Sequence, residues 1–171
     1  MRCATLTAEQ AHQQQFEELL ERHRGIVFKV AGTYCRDPHE RDDLAQDIAA
    51  QLWRAFSGFD DQRAFSTWMY RIALNTAISH LRDRTRRERH HEPLQEWHDL
   101  AAESGNPEDD ARLRDLYRCI DRLDAFDRAL LVLYLDERGQ RDIAEILGIS
   151  ETNVATRIGR LKQRLRKEME R

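Results

Sequence analysis

The chain has 171 residues, of which 40% are hydrophobic and 35% charged, and its formal net charge is −3 at pH 7. This length accommodates one ordinary domain or two small ones, and seven Gly and three Pro favour helices over a turn-rich β fold. No apolar run approaches the roughly 20 residues that cross a bilayer, and the N-terminal MRCATLTAEQ lacks the apolar core of a signal peptide. We therefore expect a cytoplasmic protein that is not integral to a membrane.

The cysteines and histidines do not form a recognisable metal-binding or disulfide pattern. The three cysteines are widely spaced and none belongs to a C-x-x-C pair: Cys3, Cys35 and Cys119. This spacing argues against a disulfide scaffold and against a zinc site. His90, His91 and His98 lie in a polar stretch without partner cysteines. We predict no metal site and no cofactor, and the sequence leaves open whether a cysteine senses oxidation.

The first third of the chain predicts two helices. Apolar residues recur at helical spacing from Phe16 to Tyr34, which predicts a long helix that ends near Cys35. Asp37-Pro38, a capping residue followed by a first-turn proline, predicts the start of a second helix. The apolar side of this helix runs from Leu44 to Phe56. Asp43 and Asp47 lie on a separate polar stripe.

The next segment combines aromatic and charged residues. Gly58 to Ser66 is predicted to be a loop, and it leads into a helix from about Thr67 to Arg84. Trp68 falls outside the apolar side of that helix, on a stripe with Arg71, Asn75, Ser79 and Arg82. With Phe59 and Phe65 just upstream, this face suits unstacked bases, because rings stack, Arg neutralises phosphate and Asn reads a base edge. The alternative is that Trp68 fills a gap between two helices. Considered without its neighbours, Trp68 is better explained by this packing role.

Residues 84–110 lose helical periodicity and collect Pro93, Gly105 and Pro107 among charges. We predict a flexible linker at 85–110 that joins two small helical domains, at 12–84 and 111–171, in an all-α fold. The apolar pattern after the linker predicts a helix around Leu113 to Ile120 and another around Phe126 to Tyr134.

The stretch from Gln140 to Lys167 has the pattern of a helix-turn-helix. An apolar stripe marks its first helix, Gly148-Ile149 forms the turn, and Ser150 is a good N-cap for the second helix. Indexing the second helix at roughly 100° per residue places four apolar residues on one core-facing stripe: Val154, Ile158, Leu161 and Leu165.

The opposite face of this second helix predicts DNA binding. Its centre is small and polar: Thr152, Thr156, Gly159 and Gln163. Its flanks are mostly basic: Asn153, Arg157, Arg160 and Arg164 on one side, Lys162 and Arg166 on the other. Phosphates lie on both sides of the base edges in a groove, so basic flanks can hold them while the centre reads. The alternative is a solvated C-terminal helix, but the attached turn and first helix favour DNA binding.

Three segments in this order resemble the extracytoplasmic-function sigma factors, the small promoter-specificity subunits of bacterial RNA polymerase. They are DDLAQDIAAQLWRAF (42–56), FSTWMYRIALNTAISHLR (65–82) and IAEILGISETNVATRIGRLKQRLR (143–166). The run from Phe16 to Arg82 resembles the second conserved region of these proteins, and 120–168 resembles the fourth. Residues 84–110 are too short and polar for the extra domain that larger sigma factors place between the two regions.

The resemblance implies a role for each group of residues. Polymerase binding, at the clamp helices of the largest subunit, falls to Asp43, Gln46, Asp47 and Trp53. Melting and reading the minus-ten element falls to Phe59, Phe65, Ser66, Trp68, Arg71, Asn75 and Arg82. Reading the minus-thirty-five element as duplex falls to Thr152, Asn153, Thr156, Arg157, Arg160, Gln163 and Arg164. The resemblance also implies contact with the polymerase flap and inhibition by an anti-sigma factor.

The chain departs from the family pattern around its helix-turn-helix. The turn at 136–140 lacks the usual aromatic residue, Thr152-Asn153 and Ala155 replace a Gly-Thr pair and a basic residue, and Gly159 replaces a larger residue. These departures leave the minus-thirty-five sequence undetermined. We hypothesise that Gly159 permits a close approach of the helix backbone to DNA.

Two other functions fit parts of the sequence. A stand-alone helix-turn-helix transcriptional regulator with an N-terminal sensing domain explains 140–167, but not the stripe at Asp43 and Asp47 or the aromatic set around Trp68. Asp42, Asp43 and Asp47 also resemble the magnesium-binding motif of prenyl-transfer enzymes. The chain is too short for the cavity of such an enzyme and has no second acidic motif facing the first. We therefore expect neither catalysis nor a small-molecule substrate.

Overall fold

The computed structural model describes residues 7–88 and 107–169, and within these ranges it contains helices and no strand. This observation confirms the predicted all-α class. The helices, in chain order, are α1 (Ala8–Tyr34), α2 (Pro38–Phe56), α3 (Phe65–Glu88), α4 (Pro107–Asp121), α5 (Ala125–Leu135), α6 (Gln140–Leu147) and α7 (Glu151–Met169).

Local capping chemistry sets most helix boundaries. The Thr7 side chain and Gln10 form a capping box at the start of α1. The Asp37 carboxylate accepts hydrogen bonds from the backbone N–H groups of His39 and Glu40 at the start of α2, where Pro38 occupies the first turn. The predicted end of α1 near Cys35 and the predicted start of α2 are both confirmed.

The predicted turn of the helix-turn-helix is also confirmed. Gly148 ends α6 in the left-handed conformation, with a φ of 68°, and its N–H donates to the Ala144 carbonyl. Glycine adopts this conformation without the steric cost that a side chain adds. Two residues later, the Ser150 hydroxyl accepts a hydrogen bond of 3.2 Å from the Asn153 N–H and caps α7.

The bounds of α3 and α4 differ from the prediction. Helix α3 begins at Phe65 rather than near Thr67, so Phe65 and Ser66 belong to its first turn and not to the preceding loop. At this start the Ala64 carbonyl accepts the first helical hydrogen bonds, from the Thr67 and Trp68 N–H groups. Helix α3 continues to Glu88 and α4 begins at Pro107, so both enter the interval predicted as a linker. The rest of that interval, 89–106, lies outside the described residues.

The N-terminal half of the described chain is a three-helix unit. Helices α1, α2 and α3 each pack against the other two. Their shared core contains fully buried side chains from all three: Val30, Leu44, Ile48, Leu52, Met69 and Leu74. Burying a side chain of this kind stabilises a fold by roughly 1.5–3 kcal/mol relative to exposing it. The apolar stripes predicted for α1 and α2 therefore face inward.

The C-terminal half packs around α7 and then onto the N-terminal half. Helix α7 contacts α4, α5 and α6, while α5 contacts α1 and α3, and α6 contacts α3. The buried side chains of the two halves form one continuous cluster. The two units that the sequence predicted as separate domains are thus in direct contact.

A buried arginine fixes the turn between α4 and α5. Arg128 donates hydrogen bonds to the backbone carbonyls of Asp121 (2.7 Å) and Leu123 (3.2 Å). The Tyr34 hydroxyl donates to the Ala125 carbonyl at 2.5 Å from across the interface between the halves. Burial lowers the pKa of Arg128, and the Asp121 carboxylate opposes that shift. The first turn of α5 is therefore held rigidly, which positions its side chains toward α7.

Candidate nucleic-acid and polymerase interface

Helix α7 exposes the face that the sequence predicted to read DNA. Its core side is buried through Val154, Ile158 and Leu161, with Leu165 half-buried. Seven residues on the other sides are exposed: Thr152, Asn153, Thr156, Gly159, Arg160, Gln163 and Arg164. Arg157 is half-buried. The geometry separates the predicted reading face from the packing face.

Contacts from α5 hold two of the predicted DNA-binding arginines. The Arg157 Nε donates to the Asn153 Oδ1 at 3.2 Å, and its Nη1 lies 3.6 Å from the Asp127 carboxylate. The guanidinium also lies over the Phe126 ring, 4.8 Å from its centroid. Arg164 lies 4.0 Å from the second Asp127 oxygen and donates to a backbone carbonyl at 2.9 Å. One carboxylate on α5 thus faces two of the four arginines of α7.

Four rings, which we term the aromatic cluster, join the end of α2, the loop at 57–64 and the start of α3: Phe56, Phe59, Phe65 and Trp68. Ring centroids lie 5.1 Å apart for Phe59 and Trp68, and 5.2 Å apart for Phe65 and Trp68. Phe59 and Trp68 are half-buried, whereas Phe65 is only 7% exposed. Phe65 therefore packs beneath the other rings in this arrangement, and its role in minus-ten recognition stays a prediction. Trp68 packs among these rings and remains partly exposed.

Helices α2 and α3 expose two neighbouring polar stripes. Asp43, Gln46 and Asp47 are exposed on α2, and Trp53 is 42% exposed with its ring 5.1 Å from that of Phe16. On α3 the predicted stripe is exposed beyond the half-buried Trp68: Arg71, Asn75, Ser79 and Arg82. An open polar cleft of about 530 Å³ joins the two stripes, lined by Asp47, Gln51, Asn75, Thr76, Ser79, His80, Asp83 and Arg87. Asp47, predicted for polymerase binding, and Asn75, predicted for minus-ten recognition, therefore line the same cleft.

The C-terminal half contacts the first turn of α3. Arg138 donates to the Ser66 hydroxyl at 3.2 Å, and its guanidinium lies over the Tyr70 ring at 5.1 Å. Asp136 accepts a hydrogen bond from the Lys29 ammonium of α1. In the adjacent loop, Arg63 pairs with Glu145 of α6 at 3.1 Å. Ser66, predicted to contact DNA, is engaged within the protein in this arrangement.

The Asp136 carboxylate at this interface has a shifted pKa. Burial by itself raises the pKa of Asp136, but the hydrogen bond and the charge of Lys29 lower it below its usual value. Asp136 is consequently ionised at neutral pH. Burial and the same carboxylate raise the pKa of Tyr70, whose buried hydroxyl meets no acceptor with regular hydrogen-bond geometry. The contact between the halves is therefore partly polar and incompletely satisfied.

The described residues contain neither a candidate metal site nor a membrane-spanning helix. Within 7–88 and 107–169 no three His, Cys, Asp or Glu side chains converge as metal ligands would. In the same ranges no helix is long and apolar enough to cross a membrane. His90, His91 and His98, for which we predicted no metal site, lie outside the described residues, as does Cys3.

Comparison with known proteins assigns both halves of the chain. The family description Sigma-70 region 2 matches residues 19–87, and Sigma-70 region 4 matches residues 113–165. The chain is 28% identical to the ECF RNA polymerase sigma factor SigW of Bacillus subtilis, over 92% of this chain and 90% of that protein. It is 31% identical to the ECF sigma factor SigE of Mycolicibacterium smegmatis, over 94% of this chain and 63% of that protein. The chain belongs to the extracytoplasmic-function sigma factors.

Solved structures of sigma factors share the arrangement of helices. The structure of CnrH in complex with the cytosolic domain of CnrY covers 92% of this chain and 89% of its own, at 26% identity and a TM-score of 0.66. The structure of RpoE with the anti-sigma factor NepR from Bartonella quintana covers 92% of this chain and 96% of its own, at 20% identity and a TM-score of 0.69. In this sigma factor, α1–α3 correspond to region 2, and the matched part of α4 through α7 corresponds to region 4.

Several residues of the sigma factor's surfaces were not found from the sequence. Asp127, Asp136 and Arg138 contact predicted site residues or the interface between regions 2 and 4, but none belongs to a periodic pattern. One signal was available at Arg128, since the single arginine in the mostly apolar α5 must find partners when buried. The other contacts join distant positions and leave no local trace.

Proposed function

We propose that three exposed faces of this sigma factor divide the work of promoter recognition. In the proposal, the α2 face binds the clamp helices of the largest polymerase subunit, the α3 face with the aromatic cluster melts and reads the minus-ten element, and α7 reads the minus-thirty-five element. The observation that carries the proposal is that each of the predicted polar stripes is exposed while the stripe behind it is buried. These helices therefore present polar side chains that their own core packing does not use.

The α7 face suits duplex DNA. Small side chains occupy its centre at Thr152, Thr156 and Gly159, which allows the helix to approach base edges closely. Arg160 and Arg164 are exposed on the flank, where phosphates lie. Each phosphate that such a residue neutralises steepens the dependence of affinity on salt by about 0.9 in a log–log plot. Binding through this face should therefore weaken as salt rises.

The aromatic cluster suits a separated strand. Phe59 and Trp68 already pack against each other and remain half-exposed, so a flipped base can contact the rings without first ordering them. Stacking on an aromatic side chain contributes about 1–3 kcal/mol per base. That contribution offsets part of the energy needed to unpair a base. Arg71 and Asn75, exposed on the next turns of α3, supply phosphate and base-edge contacts.

The acidic face of α2 suits a basic partner surface. Asp43 and Asp47 are exposed one turn apart, with Gln46 between them. Asp47 also lines the cleft that contains Asn75 of α3. A partner bound on α2 therefore borders the strand-binding surface of α3, and core binding and DNA opening are placed side by side.

Promoter binding requires regions 2 and 4 to separate. The two promoter elements lie about 25 base pairs apart, which is roughly 85 Å of duplex at 3.4 Å per base pair. A compact body of the roughly 145 described residues has a radius of gyration of about 15 Å and a diameter of about 40 Å. The packed arrangement cannot reach both elements. The Lys29–Asp136 and Arg138–Ser66 contacts must therefore break when the protein engages a promoter.

An anti-sigma factor is a further proposed partner. Phe28 and Leu135 are 57% and 65% exposed, and they are the sequence neighbours of Lys29 and Asp136, which pair across the interface between the halves. A protein that covers both apolar side chains would span the seam between regions 2 and 4 and hold them together. RpoE, one of the solved structures with this fold, is bound to the anti-sigma factor NepR. We propose a partner of this class for this sigma factor.

Catalysis belongs to the polymerase in this proposal. The sigma factor itself needs neither a cofactor nor a small-molecule substrate, and it acts in the cytoplasm, where core polymerase and promoters are. The run-off test mixes core enzyme with genomic fragments, with and without the protein, and sequences the 5′ ends of the transcripts. New start sites that share upstream sequence elements support the proposal. Unchanged transcription, together with tight binding of the protein alone to a specific duplex, favours the stand-alone regulator.

A further inference from the structure

We propose that Asp127 is a positioning residue that sets the direction of Arg157 and Arg164 in the minus-thirty-five contact. This inference rests on the proposed function of α7. Asp127 does not belong to the helix-turn-helix and would not touch DNA in the proposal. It acts through the two arginines, whose guanidinium groups it faces from the first turn of α5.

The Arg157 side chain is held on three sides. Asn153 accepts from its Nε one turn away on α7, the Phe126 ring lies beneath the guanidinium, and the Asp127 carboxylate lies beside Nη1. An unrestrained arginine explores many rotamers and loses about 2 kcal/mol of side-chain entropy when it is fixed. Here the fixing precedes DNA binding. A guanidinium fork held in one direction discriminates between base edges and phosphates better than a mobile one.

Asp127 is itself fixed. Its backbone N–H donates to the Asp124 carboxylate, the N-cap of α5, at 2.7 Å, and its side chain is 22% exposed. The adjoining turn of the chain is anchored by the buried Arg128. The carboxylate therefore sits on a rigid support, as a group that directs other side chains must.

Two arginines share this one carboxylate. Arg164 approaches the second oxygen of Asp127 at 4.0 Å and also donates to the Arg122 carbonyl of the turn before α5. Arg157 and Arg164 lie two turns apart on α7, so a single residue on α5 bridges both ends of the basic flank. Removing the carboxylate releases both guanidinium groups from this ion pair, and each can then bind DNA phosphates irrespective of the base sequence.

The test compares holoenzymes reconstituted from core polymerase and the full-length chain. The probes are a duplex enriched by the wild-type holoenzyme from a library randomised at the minus-thirty-five position, and a scrambled duplex of equal length. We expect Asp127→Asn to lower the ratio of specific to non-specific affinity by roughly fivefold or more, the effect of weakening one directed base contact. The salt slope on the scrambled duplex should steepen, by up to about two phosphates.

Three controls separate positioning from general charge and from folding. Asp142→Asn removes the same charge from the first turn of α6, whereas the ion pairs of Arg157 and Arg164 are with Asp127, and it should leave the affinity ratio unchanged. Asp127→Glu keeps the carboxylate and should restore most of the ratio. In the Arg157→Ala, Arg164→Ala background, Asp127→Asn should have no further effect. Circular dichroism of each variant verifies that α5 and α7 remain folded.

The outcomes are distinct. An unchanged ratio in Asp127→Asn, an equal loss in Asp142→Asn, or a loss that persists without both arginines overturns the positioning role while leaving the function of α7 intact. A wild-type holoenzyme that enriches no sequence from the library overturns the proposed function of α7, and the inference falls with it.

Discussion

The substitution Gly159→Ala separates the stability of α7 from its approach to DNA. Gly159 lies on the exposed polar face of α7, and a methyl group placed on it meets no atom within 4 Å. Alanine is more favourable than glycine within a helix by up to about 1 kcal/mol. The free energy of unfolding should therefore rise by about that amount. For a protein of this size, the melting temperature should rise by about 2–4 °C.

The same methyl group should weaken promoter binding if the backbone of α7 approaches the bases at this position. An added methyl group in a closely packed contact typically costs about 1–3 kcal/mol, which corresponds to roughly 5- to 150-fold in affinity. We expect a loss in this range for the holoenzyme on its enriched minus-thirty-five duplex, measured by competition at fixed salt. Higher stability and weaker binding would then appear in one variant.

Gly25→Ala provides the matched control. Gly25 is an exposed glycine within α1, and a methyl group placed there also meets nothing within 4 Å. This variant should gain similar stability without any change in promoter affinity. If Gly159→Ala binds the promoter as well as or better than the wild type, the hypothesis of close backbone approach is wrong. The glycine would then be only a local weakness of the helix.

Three further predictions concern the polymerase face, the pH dependence and the thiols. Asp47→Lys should weaken binding to core polymerase by roughly tenfold, because it reverses a charge at the proposed interface. The control variant Glu18→Lys, on the exposed side of α1, should bind as the wild type does. Unchanged affinity of Asp47→Lys in a fluorescence titration would show that Asp47 lies outside the interface. Burial, Arg22 and Arg138 together lower the pKa of His23 below its ordinary 6.5, so the folded protein disfavours the protonated form. The stability that a neutral His23 contributes should therefore be fully present above pH 6.5 and decline as the pH falls below 6.5, and His23→Gln should flatten this decline. Equal pH profiles of urea unfolding for the wild type and the variant would contradict the assignment. Burial and then the Glu40 carboxylate raise the pKa of Cys35 to about 11, so iodoacetamide at pH 8 should leave Cys35 unmodified in the native protein, as peptide mass analysis can show. Labelling at the rate seen in urea would exclude a buried, protonated thiol.

Features that depend on nearby residues could be predicted from the sequence. The stripe of Val154, Ile158 and Leu161 is buried as its helical spacing indicated, because periodicity directly determines which side chains share a face. The cap at Asp37 and the glycine turn at Gly148 were found for the same reason. In each case the residue type specifies a local hydrogen bond or backbone conformation, and no distant part of the chain is needed.

Features that depend on distant residues were missed. Lys29 and Asp136 are 107 positions apart, and each reads in the sequence as an ordinary surface charge. The packing of regions 2 and 4 therefore had no local signal. The aromatic residues in and beside the loop predicted a base-binding surface. Their positions in the sequence could not show that Phe65 would be enclosed by Phe56, Phe59 and Trp68. Similarly, Arg157 was found from its place on α7, whereas its partner Asp127 lies on another helix.

Opening of promoter DNA tests the central proposal most directly, because it distinguishes a sigma factor from a duplex-binding regulator. Permanganate reactivity of thymines around the start site should be measured on a promoter identified by run-off sequencing. We expect reactive thymines only when core polymerase and the wild-type protein are both present, and a strong reduction with Trp68→Ala at equal holoenzyme concentration. A fully unreactive duplex bound by the wild-type holoenzyme would contradict the assignment of strand opening to the aromatic cluster and α3.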